Sequence, residues 1–178
     1  LEIVVDQSRC LLCVIQDIFS DGFSFRILDQ FLLTAPRSFG IHLIQSLPKQ
    51  DKLTTVAKLC TEASVETIFP VVSDNCDIRV LSESKLKRIE SSIHSAAKQS
   101  KQAIIPKLAS ALDLSDQLKH IDYAPNCLKL VAYEASTVSL NQIIQTTTFD
   151  AIYLAIGPEG GFSEADLQLF KEHGFSEF

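Results

Sequence analysis

The pentapeptide Gly157-Pro158-Glu159-Gly160-Gly161 is the segment best suited to hold a ligand by its backbone. It follows an apolar run, Ala151–Ile156, with the content of a buried strand. It precedes Ser163 and Asp166, whose S-x-x-D spacing opens a helix by satisfying free backbone donors. Strand, glycine-rich loop and helix in that order expose backbone groups at the carboxyl edge of a sheet, where α/β proteins bind ligands. The glycines permit close approach or positive φ, and Pro158 stiffens the turn while withholding one donor. No Lys follows the glycines, so this is not a P-loop, and the dinucleotide pattern G-x-G-x-x-G is absent. An ordinary tight βα turn remains the competing reading, because glycines punctuate turns in any case. Glu159 likewise has two readings: a carboxylate at a reaction centre, or an acceptor of N–H bonds within its own loop.

Other reactive side chains are scattered. The five cysteines (Cys10, Cys13, Cys60, Cys76, Cys127) are an odd number among apolar neighbours, which fits buried free thiols in a reducing cytosol. Cys10-x-x-Cys13 sits in a strand-like run and has no second pair to complete the four ligands of a structural zinc site. The four histidines show no ligand spacing, so no metal is expected.

At 178 residues and 46% hydrophobic content the chain suits one domain, or one domain with a small appendage. No apolar run reaches the roughly 18 residues of a membrane span, and no signal peptide is visible. A net charge of −6 argues against a nucleic-acid partner, but the average hides a local reversal. Between Arg79 and Lys107 there are seven basic and two acidic residues, a local +5. A phosphate-binding footprint needs only such a patch, although a solvated helix face has the same composition. With no methionine at all, the sequence reads as a fragment.

The elements that must position the glycine loop follow from periodicity. Residues 1 to about 34 are β-like, with Leu1–Val5, Cys10–Phe19 and Phe23–Leu28 as apolar runs and Asp21-Gly22 as a hairpin turn. Thr34–Ser38 reads as a linker. From Gly40 strands and helices alternate. Strands are predicted over 41–47, 65–72, 104–108, 128–133 and 149–156, and helices over 51–63, 83–100, 114–121, 140–145 and from Glu164 to a stop at Gly174. Residues 175–178 look like a strand beginning. On the 83–100 helix, Leu86, Ile89, Ile93 and Ala97 form the buried stripe, while Lys87, His94, Lys98 and Lys101 fall elsewhere, clustered in space. Such alternation predicts an α/β fold with a mainly parallel sheet and helices on both faces.

The string IGPEGGFS followed by an acidic helix resembles the signature of the RsmE-type ribosomal RNA uridine-N3 methyltransferases, a family of the SPOUT (trefoil-knot) superfamily. The likeness extends over about Gly40–Phe178. Gly40-Ile41-His42-Leu43 through Pro48 and Lys52 is similar to the family's first sheet strand and the basic turn after it. Thr61-Glu62-Ala63-Ser64-Val65 is similar to T-E-L-G-V, and Pro70-Val71-Val72-Ser73 to P-x-x-S. Arg88, Ala96–Ser100 and Pro106 follow R…A-A-E-Q-S-G-R…V-P at matching spacing. Three positions depart: Lys98 stands in place of Glu, Lys101-Gln102 in place of Gly-Arg, and Asn75 in place of an Arg.

The resemblance implies residues 35–178 as a SPOUT methyltransferase domain, preceded by part of a PUA-like β-barrel over residues 1–34 that helps grip RNA. It implies S-adenosylmethionine as cofactor, bound by Tyr133, Glu134 and Ala135 at one strand end and by Ile156, Gly157, Pro158, Glu159, Gly160 and Gly161 at the next. Lys52, Arg88, Lys98, Gln99, Ser100 and Lys101 are the implied RNA contacts. Glu159 is the candidate catalytic carboxylate, and no general base is assigned. The implied reaction is methylation of uridine N3 in small-subunit (16S) ribosomal RNA, free or in the small ribosomal subunit, by a cytoplasmic homodimer joined through its knots. The family continues with an L-G-x-R-[IV]-L-R-x-E-T motif that threads the knot. This sequence stops before it, so the resemblance implies that part of the cofactor pocket lies outside these residues and that this polypeptide alone is inactive. The alternatives are a non-catalytic RNA-binding module with a vestigial loop, an α/β enzyme using the loop for a nucleotide or sugar phosphate, and a SPOUT enzyme acting on tRNA.

Overall fold

Among the described residues, seven parallel strands and five helices place the glycine loop, and a small antiparallel sheet stands before them. The structure, a computed structural model, describes residues 1–5, 9–32 and 38–178. The predicted linker falls almost wholly outside the described residues, since 34–37 are not among them.

The antiparallel sheet consists of β1 (Glu2–Val5), β2 (Arg9–Ile18) and β3 (Phe23–Leu32) in the order β1-β2-β3. The Phe19 N–H bonds the Gly22 carbonyl at 2.7 Å and closes the expected hairpin. Cys10 and Cys13 are buried, but Ile18, Phe19, Phe23 and Leu28 are exposed, Ile18 by 81%. None of the five cysteines is in a disulfide.

The parallel sheet contains β4 (Gly40–Ser46), β5 (Thr67–Val72), β6 (Lys107–Leu108), β7 (Leu112–Asp113), β8 (Cys127–Val131), β9 (Ala151–Ile156) and β10 (Ser176–Glu177). Its order is β10-β8-β9-β4-β5-β6, with β7 also on β5, and every pairing is parallel. The four longer strands, β4, β5, β8 and β9, are rich in Ile, Val and Leu, which suits a sheet covered on both sides. Helices α1 (Lys52–Glu62) and α2 (Glu83–Ser100) cover one face, burying Leu53, Ala57, Ile89 and Ile93 against Leu43, Ile68 and Val72. Helices α3 (Leu114–His120) and α5 (Glu164–Glu172) cover the other, where Leu118 and the fully buried Phe170 meet Ile44, Tyr153 and Ala155. Burying a Phe side chain of this kind contributes about 1.5–3 kcal/mol. Helix α4 (Leu140–Thr146) buries no residue.

The α/β expectation therefore holds, and α2 has the bounds its pattern predicts. Its buried stripe differs slightly: Ala96 joins Ile89, Ile93 and Ala97, while Leu86 is only half-buried. The strand predicted from Val65 begins at Thr67 instead. Ser64 adopts φ 58°, and Val65 N–H bonds back to the Cys60 carbonyl, so both residues terminate α1 in a Schellman arrangement. The strand predicted over 104–108 shrinks to two residues, and β7 was not predicted at all.

Candidate functional site

Chain order locates the site. From β4 the chain passes through α1 to β5 on one side, whereas from β9 it passes through α5 to β10 on the other. The neighbouring strands β4 and β9 are thus the switch point of the sheet, and the crevice at their carboxyl ends is where open α/β sheets take ligands. The loop after β9 is Gly157–Phe162, and it is tied down from the β4 and β5 side.

Glu159 spans the crevice. Its Oε1 lies 2.6 Å from Lys52 Nζ, and its two oxygens accept the Lys49 N–H at 3.2 and 3.1 Å. The Lys52 ammonium, aided by the Glu159 and Lys49 backbone N–H groups, lowers its carboxyl pKa to about 2. Glu159 caps its own loop, and it also clasps the loop after β4. Two further ion pairs line this edge, Lys49 with Asp77 at 2.7 Å and Arg88 with Asp51. The buried Gln45 supports the loop from beneath, its amide donating to the Ser46 carbonyl at 2.9 Å and reaching the Ile156 and Gly157 carbonyls at 3.4 and 3.5 Å.

Within the loop, Gly161 N–H bonds the Pro158 carbonyl at 2.9 Å, and Gly161 takes φ +68°. A Cβ on Gly157 would stand 3.3 Å from Gly161 Cα, so the turn folds tightly on itself. Phe162 then enters the core edge-on to Phe170, ring centroids 4.9 Å apart. Ser163 and Asp166 form the expected capping box at the start of α5. The loop after β5 extends that box: Asp74 Oδ2 accepts from Ser163 Oγ at 2.6 Å, and Asp74 N–H donates to the Asp166 carboxylate at 3.3–3.4 Å. Asn75 Nδ2 donates to the Gly160 and Gly161 carbonyls at 3.1 and 3.2 Å. In the sequence Asn75 stands out only as a departure from a family pattern; its amide signals a partner, but not which loop supplies it.

The opposite flank of the glycine loop faces β8. There Tyr133 N–H bonds the Phe178 carbonyl at 3.1 Å, and Ser136 N–H closes a turn on Tyr133 at 3.0 Å. Among the described residues no hydrogen bond joins Tyr133–Ala135 to Gly157–Gly161. Backbone groups of two adjoining loops therefore stand side by side without consuming one another, an arrangement able to receive a ligand between them.

The implied RNA contacts divide into two groups. Lys52 and Arg88 lie at the carboxyl edge, each paired with a carboxylate. Lys98 and Lys101 lie ten and more residues further along α2, roughly 15 Å down its axis. There the amide of Gln102 bonds the Glu62 carbonyl near the start of β5, at the amino edge. Lys98, Lys101 and His94 line a cleft of about 510 Å³ between α2 and the antiparallel sheet, with Ile3 and Phe31 on its other wall. Lys87, two turns earlier on the same stripe of α2, lies outside this cleft. Lys101 pairs with Glu2 at 3.2 Å, while Lys98 has no carboxylate partner among the described residues. Gln99 is exposed, and the Ser100 hydroxyl bonds back to the Ala96 carbonyl at 2.7 Å. Among the described residues no three His, Cys, Asp or Glu side chains gather as metal ligands, and no helix is long and apolar enough to cross a membrane.

A parallel α/β sheet with a backbone-lined crevice at its switch point defines the class of protein. Residues 35–178 match the family model described as RNA methyltransferase domain, and the chain belongs to that family. It is 27% identical over 164 residues to the ribosomal RNA small subunit methyltransferase E of Rickettsia conorii, covering 91% of this chain. It is 25% identical over 173 residues to the Mycobacterium bovis protein of the same name, covering 93%. The chain spans 64% of the length of both relatives. Among solved structures, the ribosomal RNA small subunit methyltransferase E of Neisseria gonorrhoeae, bound to S-adenosylmethionine, superposes with a TM-score of 0.81 at 24% identity, over 96% of this chain and 70% of that one. A Legionella pneumophila protein in complex with the same cofactor gives 0.79 at 24%, over 95% and 69%. At that identity the likeness shows a shared fold.

Proposed function

We propose that this chain carries the cofactor loop and RNA contacts of an S-adenosylmethionine-dependent methyltransferase acting on N3 of a uridine in small-subunit ribosomal RNA. The observation that carries the reading is the glycine loop, tied from the β4–β5 side and open toward β8, in a fold shared with two proteins solved with that cofactor. The names of the relatives support the RNA substrate, and the family motifs support the uridine-N3 choice.

The residues fit such a cofactor. Tyr133–Ala135 and Ile156–Gly161 lie on adjoining loops that do not hydrogen-bond one another, and the glycines of the tight Gly157–Gly161 turn let that backbone be approached closely. When bound, S-adenosylmethionine supplies an electrophilic methyl group, so the protein's main task is to hold nucleophile and methyl in line. Uracil N3 must lose its proton before or during attack, and a nearby cation favours the anionic base. Lys52 and Arg88 provide positive charge at this edge and reach phosphates, which position RNA without reading its sequence. Glu159, held far below the usual carboxylate range, stays charged near neutral pH and serves to lock the loops. The target base sits in single-stranded or splayed RNA, because A-form duplex hides its base edges. The working form is a cytoplasmic homodimer.

The test is calorimetric titration of the whole natural protein with S-adenosylhomocysteine, followed by methyl transfer to small ribosomal subunits and mapping of the product. Binding and a new N3-methyluridine in 16S rRNA are expected. RNA binding without cofactor binding would replace this reading with a non-catalytic RNA module, and methylation of tRNA alone would overturn the substrate.

A further inference from the structure

We infer that Asn75 is a positioning residue for the cofactor loop, fixing the Gly160–Gly161 peptides from the β5 side so that the opposite flank keeps its shape toward β8. The inference rests on the S-adenosylmethionine reading above.

The loop that carries Asn75 is itself rigid. Ser73 is buried, its hydroxyl bonds the buried Ser46 hydroxyl at 2.9 Å, and Cys76 N–H closes a turn on the Ser73 carbonyl at 3.1 Å. Asp74, next along, is fastened to Ser163 and Asp166. Asn75 is therefore presented from a frame anchored in β4 on one side and α5 on the other.

Two carbonyls converge on the one amide nitrogen. A trans peptide sets its C=O and N–H on opposite sides, so drawing the Gly161 carbonyl toward β5 turns the Phe162 N–H the other way. The same tie holds Gly161 at its positive φ, which a glycine would otherwise leave freely. Packing enforces the fit: a Cβ on Gly160 would lie 3.3 Å from Asn75 Cβ. Position 75 thus acts inward on the loop.

The experiment compares wild type, Asn75→Ala and Asn75→Asp in the whole natural protein, by S-adenosylhomocysteine titration, thermal unfolding and amide hydrogen exchange. Asn75→Asp keeps the shape but removes the donor, placing a carboxylate against two carbonyls. Loss of a neutral hydrogen-bonding donor predicts affinity weakened about tenfold in Asn75→Ala, and at least as much in Asn75→Asp. Exchange at Gly161 should quicken in both, with the unfolding temperature nearly unchanged. Equal affinity in all three proteins overturns the inference, as does weakened affinity that merely tracks a lowered unfolding temperature. If wild type does not bind, the cofactor reading falls. Exchange at Gly161 then still decides whether Asn75 holds the loop, and unchanged exchange overturns that as well.

Discussion

Glu159 and Lys52 lie 107 residues apart in sequence and meet with 2.6 Å between Oε1 and Nζ, joining the loop after β9 to the first turn of α1. The pair bridges the loops at the switch point, so the charge that resembles an RNA contact also helps set the shape of the ligand loop.

That pair predicts an acid-labile contribution to stability. The folded-state pKa of Glu159 is depressed from 4.5 to about 2, so its contribution is present above pH 4.5 and lost as pH falls toward 2. In urea titrations, wild type should be more stable than Glu159→Gln near neutral pH, and the two should converge between pH 4.5 and 2. Both groups are solvent-accessible, so the difference should shrink in high salt. A difference that persists at low pH would contradict the assignment.

Asp166 predicts a larger loss. It is 3% exposed and accepts from Ser163 N–H at 3.0 Å and from Asp74 N–H. Asp166→Ala leaves both donors without their acceptor and should cost about 2–3 kcal/mol, against about 1 kcal/mol for the Ser163→Ala cap deletion. Urea midpoints at constant m-value would check the ranking.

Lys101 predicts a gain. It ends α2 at φ 54°, a left-handed conformation that costs a side-chain-bearing residue roughly 1–2 kcal/mol and glycine little. Lys101→Gly should raise stability by about 1 kcal/mol, since the exposed pair with Glu2 contributes little. RNA affinity should fall in the same variant if the cleft beside α2 grips phosphate.

Lys98 and Arg88 should respond differently to salt. Lys98 has no carboxylate partner among the described residues, whereas Arg88 must first leave Asp51. Lys98→Ala should flatten the slope of log K against log salt by about 0.7–0.9, the release of one counterion. Arg88→Ala should change it less, and filter-binding titrations across salt would show the contrast.

His42 adds a pH dependence near neutrality. It stacks on Tyr153 with ring centroids 4.5 Å apart, and burial lowers its pKa below 6.5 despite Glu66 nearby. Its neutral form is favoured in the fold, so stability present above pH 6.5 should decline as pH falls through the lowered value. His42→Phe should remove that decline from thermal melts taken between pH 7 and 5.

Much of this architecture was legible because it is local. The 3.6-residue pattern of Ile89, Ile93 and Ala97 marks α2, and Ser163-x-x-Asp166 marks the start of α5. The apolar run before Gly157 marks β9, since a strand buried on both faces leaves no polar positions. Signals failed where an element exists only through its neighbour. The strands β6 and β7 are two residues each, held by β5; β6 is the remnant of a longer predicted strand, and nothing in Leu112-Asp113 encodes β7. Ser64 hid the α1 cap that takes in Val65, because its left-handed φ is usually announced by glycine.

The amino-acid sequence by itself determined the alternation of strands and helices, the glycine turn and its cap, since these depend on residues within a few positions of one another. Tertiary structure alone decided which loops meet. It set Asn75 on Gly160 and Gly161, brought Lys52 to Glu159, and laid Lys98 along a cleft against the antiparallel sheet. Those relations depend on strand order, and strand order is fixed by packing two apolar faces at once, a property of the whole sheet that no local window contains.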